Sequence, residues 1–316
     1  MKYLIALLFV VSVFTVHAQP VQQNGWLKVK GTQLVNEKDE PIALHGASFG
    51  WHNLWPRFYN KGAVHELVTK WNCNIIRASM GIQLNDSGYL KSPKQSIKLM
   101  TKVIDACIKE GVYVIIDWHD HNIHTNEAKE FFAKMSAKYK DQPNIIYELF
   151  NEPDHETWSE VKQYAEEVIA VIRANDKRNI VLVGCPKWDQ EILQPANDPI
   201  KGYSNLMYTM HFYAGTHKQW LRDRTNEAMK KGLPVFVSEC AGMEASGDGP
   251  IDTAEWKLFK NWMDEKKLSW IAWSVSDKKE TCSMLLPSAK SKGGWKEEDV
   301  KEWGRMVRKE LASYKE

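Results

Sequence analysis

From about residue 42 the chain alternates short apolar runs with longer stretches of helical periodicity. Eight runs read as strands: 42–47, 73–78, 112–118, 144–150, 179–184, 205–210, 234–238 and 269–273. Each is largely apolar throughout rather than at every second position, the pattern of a strand buried on both faces. Between them, Met100, Val103, Ile104, Cys107 and Ile108 recur on one helical face, as do Val161, Tyr164, Ala165, Val168, Ile169 and Ile172. Gly111 is placed to stop the first of these helices. Eight repeated strand-helix units predict an α/β fold, a single (β/α)8 TIM barrel. A doubly wound open sheet is the alternative, but no G-x-G-x-x-G follows an early strand. Ahead of the barrel, residues 27–30 and 33–35 predict a short hairpin that closes its bottom, and residues 297–311 predict a final helix.

The first eighteen residues stand apart. Lys2, the apolar stretch from Leu4 to Val16, and the small-residue site Val16-His17-Ala18 read as a cleaved secretory signal. The apolar run is shorter than the roughly 20 residues a membrane span needs. Export, to the periplasm or beyond, is therefore expected, with no membrane association after cleavage and residues 19–316 forming one catalytic domain. No Pro/Ser/Thr-rich linker or low-complexity tract interrupts them, so no appended binding module is expected.

Lys and Arg number 42 against 40 Asp and Glu, and no basic stripe is interleaved with aromatics, so a nucleic acid is not an expected partner. A neutral partner fits better. The compositional outlier is tryptophan, 14 residues, several of them beside polar and turn positions where flat rings can stack on sugars. The five cysteines match no zinc spacing. Cys73 and Cys107 fall in apolar contexts that predict buried, inert thiols. Barrel topology puts Cys240 and Cys282 on one face after neighbouring strands, and in an oxidising compartment a bridge between them is expected.

Function in such a barrel concentrates at the C-terminal ends of the strands. There the chain carries Arg77, His119, Asn151, Glu152, Trp188, His211, Tyr213, Glu239 and Trp273. Glu152 and Glu239 each follow an apolar strand, and acetal hydrolysis needs little more than one carboxylic acid and one carboxylate. His119-Asp120-His121 with His124 nearby offers a competing reading, a metal-dependent hydrolase barrel. A non-catalytic glycan-binding barrel is a third.

The set Arg77, Asp117-Trp118-His119, Asn151-Glu152-Pro153, His211-Phe212-Tyr213, Glu239 and Trp273, in this order, resembles glycoside hydrolase family 5. The stretches 113–119, 211–217 and 273–278 resemble its subfamily 2 of bacterial endo-β-1,4-glucanases, and the likeness runs over about residues 24 to 312. It implies a retaining hydrolase of β-1,4-glucan, with mannan, xylan or mixed-linkage glucan as the alternative substrates of the same cleft, working as a monomer without cofactor or metal, with Glu152 as acid/base and Glu239 as nucleophile. Arg77 and Tyr213 would hold Glu239 ionised, Asn151 would bind the 2-hydroxyl, and His119, His211 and Trp273 would line the central subsite. Trp55 and Lys278 with Glu280 would serve the glycone side, Trp188 the aglycone side, and His52 a subsite. Gly81, where relatives often carry an aromatic residue, is expected to leave the glycone side more open.

Overall fold

The computed structural model describes residues 19–314; the signal-peptide reading lies outside them. A two-stranded antiparallel hairpin comes first, β1 (Lys28–Lys30) and β2 (Gln33–Val35). Eight parallel strands follow: β3 (His45–Phe49), β4 (Ile75–Gly81), β5 (Tyr113–His119), β6 (Ile145–Glu148), β7 (Ile180–Val183), β8 (Leu206–Tyr213), β9 (Val235–Ala241) and β10 (Trp270–Val275). They close in sequence order, β10 pairing with β3. The expected TIM barrel is the observed fold.

The alternation of side chains sorts this barrel into layers. Ile75, Tyr113, Ile115, Ile146, Ile180, Leu182, Met207, Phe236 and Ile271 point inward low in the barrel and pack with Leu27 and Leu34 of the hairpin. An apolar plug therefore floors the barrel. Two residues further along several of the same strands, the inward positions become Arg77, Asp117, Glu148, and higher still His119 and Tyr213. Side chains pointing the other way, such as Ile76, Val114, Tyr147 and Val237, meet the helices in the outer core.

Local signals explain the helix ends. The helix Pro93–Glu110 starts with proline and stops at Gly111, whose φ of 71° is left-handed, as its sequence position implied. Thr157 and Glu160 form a reciprocal capping box at the start of Trp158–Asn175.

Two expectations need correction. The final helix is split: a 3-10 turn, Glu297–Asp299, precedes Glu302–Ala312. Between them Val300 is extended and bridges Leu285, so burying the chain after β10 takes precedence over helix propensity there. No bridge joins Cys240 and Cys282, and both thiols are free and buried. Cys240 points away from the barrel interior into the outer core, its Sγ 3.4 Å from the Ile271 carbonyl. Cys282 lies at the rim beside Gly247 and Glu280. Cys73 and Cys107 are buried as expected, and burial pushes both thiols up, Cys73 to about 12.

Candidate active site

Arg77 is the hub of the polar layer. Fully buried on β4, it donates from Nε to Glu148 at 2.6 Å, from Nη1 to Glu239 at 2.8 Å and from Nη2 to Asn151 Oδ1 at 2.6 Å. Its Nη2 also lies 3.1 Å from Asp117. Above an apolar floor these ion pairs are poorly screened, and each of the three guanidinium nitrogens finds an acceptor. The guanidinium therefore fixes residues from β4, β5, β6 and β9 relative to one another.

Glu239 reaches this hub through an irregularity in β9. Pairing with β8 runs Thr209 to Phe236 and then His211 to Glu239, an extra residue in β9, and pairing with β10 slips at the same place. Such a bulge re-aims side chains. Both Ser238 and Glu239 thereby turn toward the site. Tyr213 donates to Glu239 Oε1 at 2.8 Å, opposite Arg77 on Oε2. Burial, and then the charge of Glu152, pushes the Glu239 carboxyl up, and Arg77 works against both.

Glu152 lies past the end of β6 in a loop, half-buried, with Oε1 2.9 Å from His211 Nδ1. One oxygen of each glutamate and one ring nitrogen of His211 lie within 4.8 Å of one another. Among the described residues these three could also grip a cation.

The proton between Glu152 and His211 can be located by following the hydrogen bonds inward. Ser238 Oγ donates to Glu148 Oε1 at 2.5 Å, so it accepts from His211 Nε2–H at 2.9 Å. His211 Nδ1 then shares one proton with Glu152, written either as imidazolium with carboxylate or as imidazole with carboxylic acid. Burial pulls the His211 pKa down, but Asp189, 3.3 Å from Nε2, the nearby Glu148 carboxylate and the hydrogen bond to Glu152 hold it well above the usual imidazole range. Burial pushes the Glu152 carboxyl up, and the hydrogen bond from His211 brings it below the ordinary value. The two shifts describe one retained proton.

The walls are aromatic and polar. His119 donates from Nδ1 to Asp117 at 2.7 Å, and burial holds its pKa well down, so Nε2 is a free acceptor. Its ring stacks on Trp273, centroids 5.1 Å apart at 11°. Asn151 spends its amide oxygen on Arg77, which leaves Nδ2 a buried donor without a protein partner. Native proteins rarely leave a donor so, and a ligand hydroxyl would satisfy it. Beyond Glu152 opens a cavity of about 530 Å³ lined by His121, Glu152, Trp188, Gln190, His211, Tyr213, Thr216, His217 and Ala245. Trp188 is 41% exposed there, on a tight turn after β7 where its φ is 53°. Trp55 packs close to Gly50, just past the end of β3, and is half-buried. Lys278 pairs with Glu280 on the loop after β10, and Lys301 Nζ binds the carbonyls of both.

Two expectations change here. His52 is fully buried and both ring nitrogens are engaged, Nδ1 accepting from the Gly81 N–H at 2.9 Å and Nε2 with Ser96 at 2.8 Å. It braces the end of β4 rather than facing a subsite. The space that Gly81 was expected to leave open is filled, since a Cβ there would lie 2.1 Å from the Asn53 amide and 2.9 Å from the Trp51 ring. Trp51, absent from the expected set, stands edge-on to His119 with centroids 4.5 Å apart. Asp189, Ser238 and Glu148 are the other participants sequence reasoning missed. The His119, His121 and His124 group does not converge: His119 binds Asp117 inside the barrel while His124 binds Asp120 at 2.8 Å outside it.

Fold and site together are those of the two-carboxylate glycoside hydrolase barrels. Residues 35–279 match the family Cellulase (glycosyl hydrolase family 5), and the chain belongs to that family. It is 39% identical over 294 residues to an endoglucanase of Clostridium saccharobutylicum, covering 91% of this chain and 65% of that protein. To endoglucanase A of Evansella cellulosilytica it is 41% identical over 280 residues, covering 86% and 57%. The chain thus spans less than two thirds of these relatives' length. The catalytic domain of Thermobifida fusca endoglucanase Cel5A, solved in complex with cellotetraose, superposes with a TM-score of 0.88 at 32% identity, covering 93% of this chain and 99% of that one.

Proposed function

We propose that the protein is a secreted, monomeric endo-β-1,4-glucanase that hydrolyses internal bonds of cellulose and related β-glucans with retention of configuration. The observation that carries the reading is the close approach of Glu152 and Glu239 across the barrel mouth, with oxygens within 4.8 Å. Retaining enzymes hold their carboxyl groups about 5 to 5.5 Å apart, whereas inversion needs a wider gap for water. The sugar bound in an endoglucanase complex of the family supports a β-1,4-glucan substrate. Export is supported by the charged, apolar and small-residue pattern of residues 1–18. The active-site groups all come from one barrel, which suits a monomer.

The chemistry follows from the hydrogen bonds. Glu239, held by Arg77 and Tyr213, attacks the anomeric carbon as Glu152 delivers the shared proton to the leaving oxygen. Taking that proton fully removes the Glu152 charge, and with it one of the pushes that raise the Glu239 pKa. Once Glu239 is esterified, Glu152 and His211 accept a proton from water, which opens the ester. The unpartnered Asn151 amide binds the 2-hydroxyl, a contact that strengthens as the oxocarbenium character grows. His119 offers its free Nε2 to a further hydroxyl above the Trp273 platform.

Purified cellulose, mixed-linkage glucan, mannan and xylan, assayed in parallel for new reducing ends, test the reading. Soluble β-1,4-glucans should be the best substrates, and proton NMR should show the β-anomer first. Preference for mannan or xylan would replace the substrate, and initial α-anomer would refute the double displacement.

The open Trp188 ring gives a graded prediction. Trp188→Ala should weaken cello-oligosaccharide binding by about 1 to 2 kcal/mol, the scale of a lost aromatic contact with its buried area. Calorimetry in a Glu239→Gln background would measure it. Unchanged affinity would make Trp188 a surface residue only.

A further inference from the structure

All fourteen tryptophans lie in the described part of the chain, and twelve are buried or half-buried. The two exceptions are Trp188 and Trp220, each 41% exposed. Trp188 faces the cavity. Trp220 opens the helix Gln219–Lys230 just past the loop that follows β8, and it joins neither apolar core.

Its ring is nonetheless held in place. Arg224, one turn further along the helix, sets its guanidinium 5.0 Å from the ring centroid. The same guanidinium ion-pairs with Glu191 at 2.7 Å and donates to the Gln190 carbonyl at 3.1 Å. Gln190 follows the turn that presents Trp188, and both line the cavity. Trp220 also meets His217, ring centroids 5.8 Å apart and planes tilted by 57°, and His217 lines that cavity too. His217 is itself fixed, its Nδ1 accepting from the Tyr213 N–H at 2.8 Å. Trp220 is therefore tied through Arg224 and His217 to the Trp188 end of the cleft. A large apolar ring left open to water yet immobilised by a cation and an imidazole is preorganised for a flat partner.

We propose that Trp220 is a further stacking platform, extending the leaving-group side of the cleft beyond Trp188 and binding a distal glucose unit of the chain. The inference rests on the endoglucanase reading of the site. Sugars near the scissile bond meet Trp188, and a longer chain continues outward past His217 onto the Trp220 ring. Short substrates never reach it. Trp220 thus acts on chain-length preference rather than on bond cleavage.

The test is the ratio of kcat/KM for cellohexaose to kcat/KM for 4-nitrophenyl cellobioside, measured in one enzyme preparation. In Trp220→Ala this ratio should fall about three- to tenfold, matching the loss of one aromatic contact. Trp220→Tyr should restore most of it. The cleavage pattern of cellohexaose should shift away from bonds that need the longest leaving group. A ratio and pattern equal to wild type in Trp220→Ala would overturn the platform while leaving the endoglucanase reading intact. A wild-type enzyme that cleaves neither substrate would overturn that reading, and the platform with it.

Discussion

Replacing Glu239 with alanine is expected to lower kcat on β-glucan by on the order of 10⁴- to 10⁶-fold, the scale seen when a covalent nucleophile is deleted. The loss should be specific to chemistry. Arg77 keeps Glu148, Asp117 and Asn151 as acceptors after the change, so the buried guanidinium is not stranded and the barrel should still fold. Circular dichroism would check that. The deletion also opens a space beside the anomeric carbon, on the face opposite the departing oxygen. Azide admitted there should restore part of the activity toward an activated aryl glycoside and give an α-glycosyl azide, because a single displacement inverts. Activity within tenfold of wild type, or a β-azide from this variant, would remove Glu239 from the nucleophile's role.

Why these residues were readable in advance, and others not, has a physical basis. Strands buried on both faces leave apolar runs that need no tertiary knowledge, so all eight barrel strands were visible. Their C-terminal ends were harder to place. Strand β3 ends at Phe49 rather than Ala47 and β9 at Ala241 rather than Ser238, because strand pairing continues through polar residues where the apolar pattern stops. Glu152, Glu239, Arg77 and Asn151 were legible through the order of their motifs. His211 was legible in the same way, but the cluster that Asp189, Ser238 and Glu148 form around it was not. It joins a turn after β7 with β8, β9 and β6, and the β9 bulge that turns Ser238 inward leaves no mark in the sequence. The same limit explains the cysteines. Sequence places Cys240 and Cys282 near one end of the barrel, but only strand geometry sends Cys240 into the outer core. For His52, the family resemblance implies a subsite contact, and burial with two protein hydrogen bonds excludes it.

Glu152→Ala should separate the two steps of the reaction. Substrates with poor leaving groups, such as cello-oligosaccharides, need the proton in the first step and should slow by about 10²- to 10⁴-fold, the usual contribution of a positioned acid. An aryl glycoside with an acidic phenol leaves without help. Its first step should be little changed, and the glycosyl-enzyme should accumulate because water is no longer deprotonated for the second. Azide needs no base, so it should accelerate turnover and yield a β-glycosyl azide, the opposite anomer to that from the Glu239 variant. The pH profile adds a separate check. In the wild type the working proton is shared by Glu152 and His211, and Asp189 helps hold His211 well above the imidazole range. Activity is therefore retained while that proton is bound and falls as pH rises through the pair's ionisation, which forms the alkaline limb. With Glu152 gone, the leaving oxygen loses the group that hands over the proton. The alkaline limb should disappear for formation of the glycosyl-enzyme from the activated substrate, while the acid limb, set by ionisation of Glu239, should remain. Equal losses on both kinds of substrate, or an unchanged alkaline limb, would show that the proton reaches the leaving oxygen by another route.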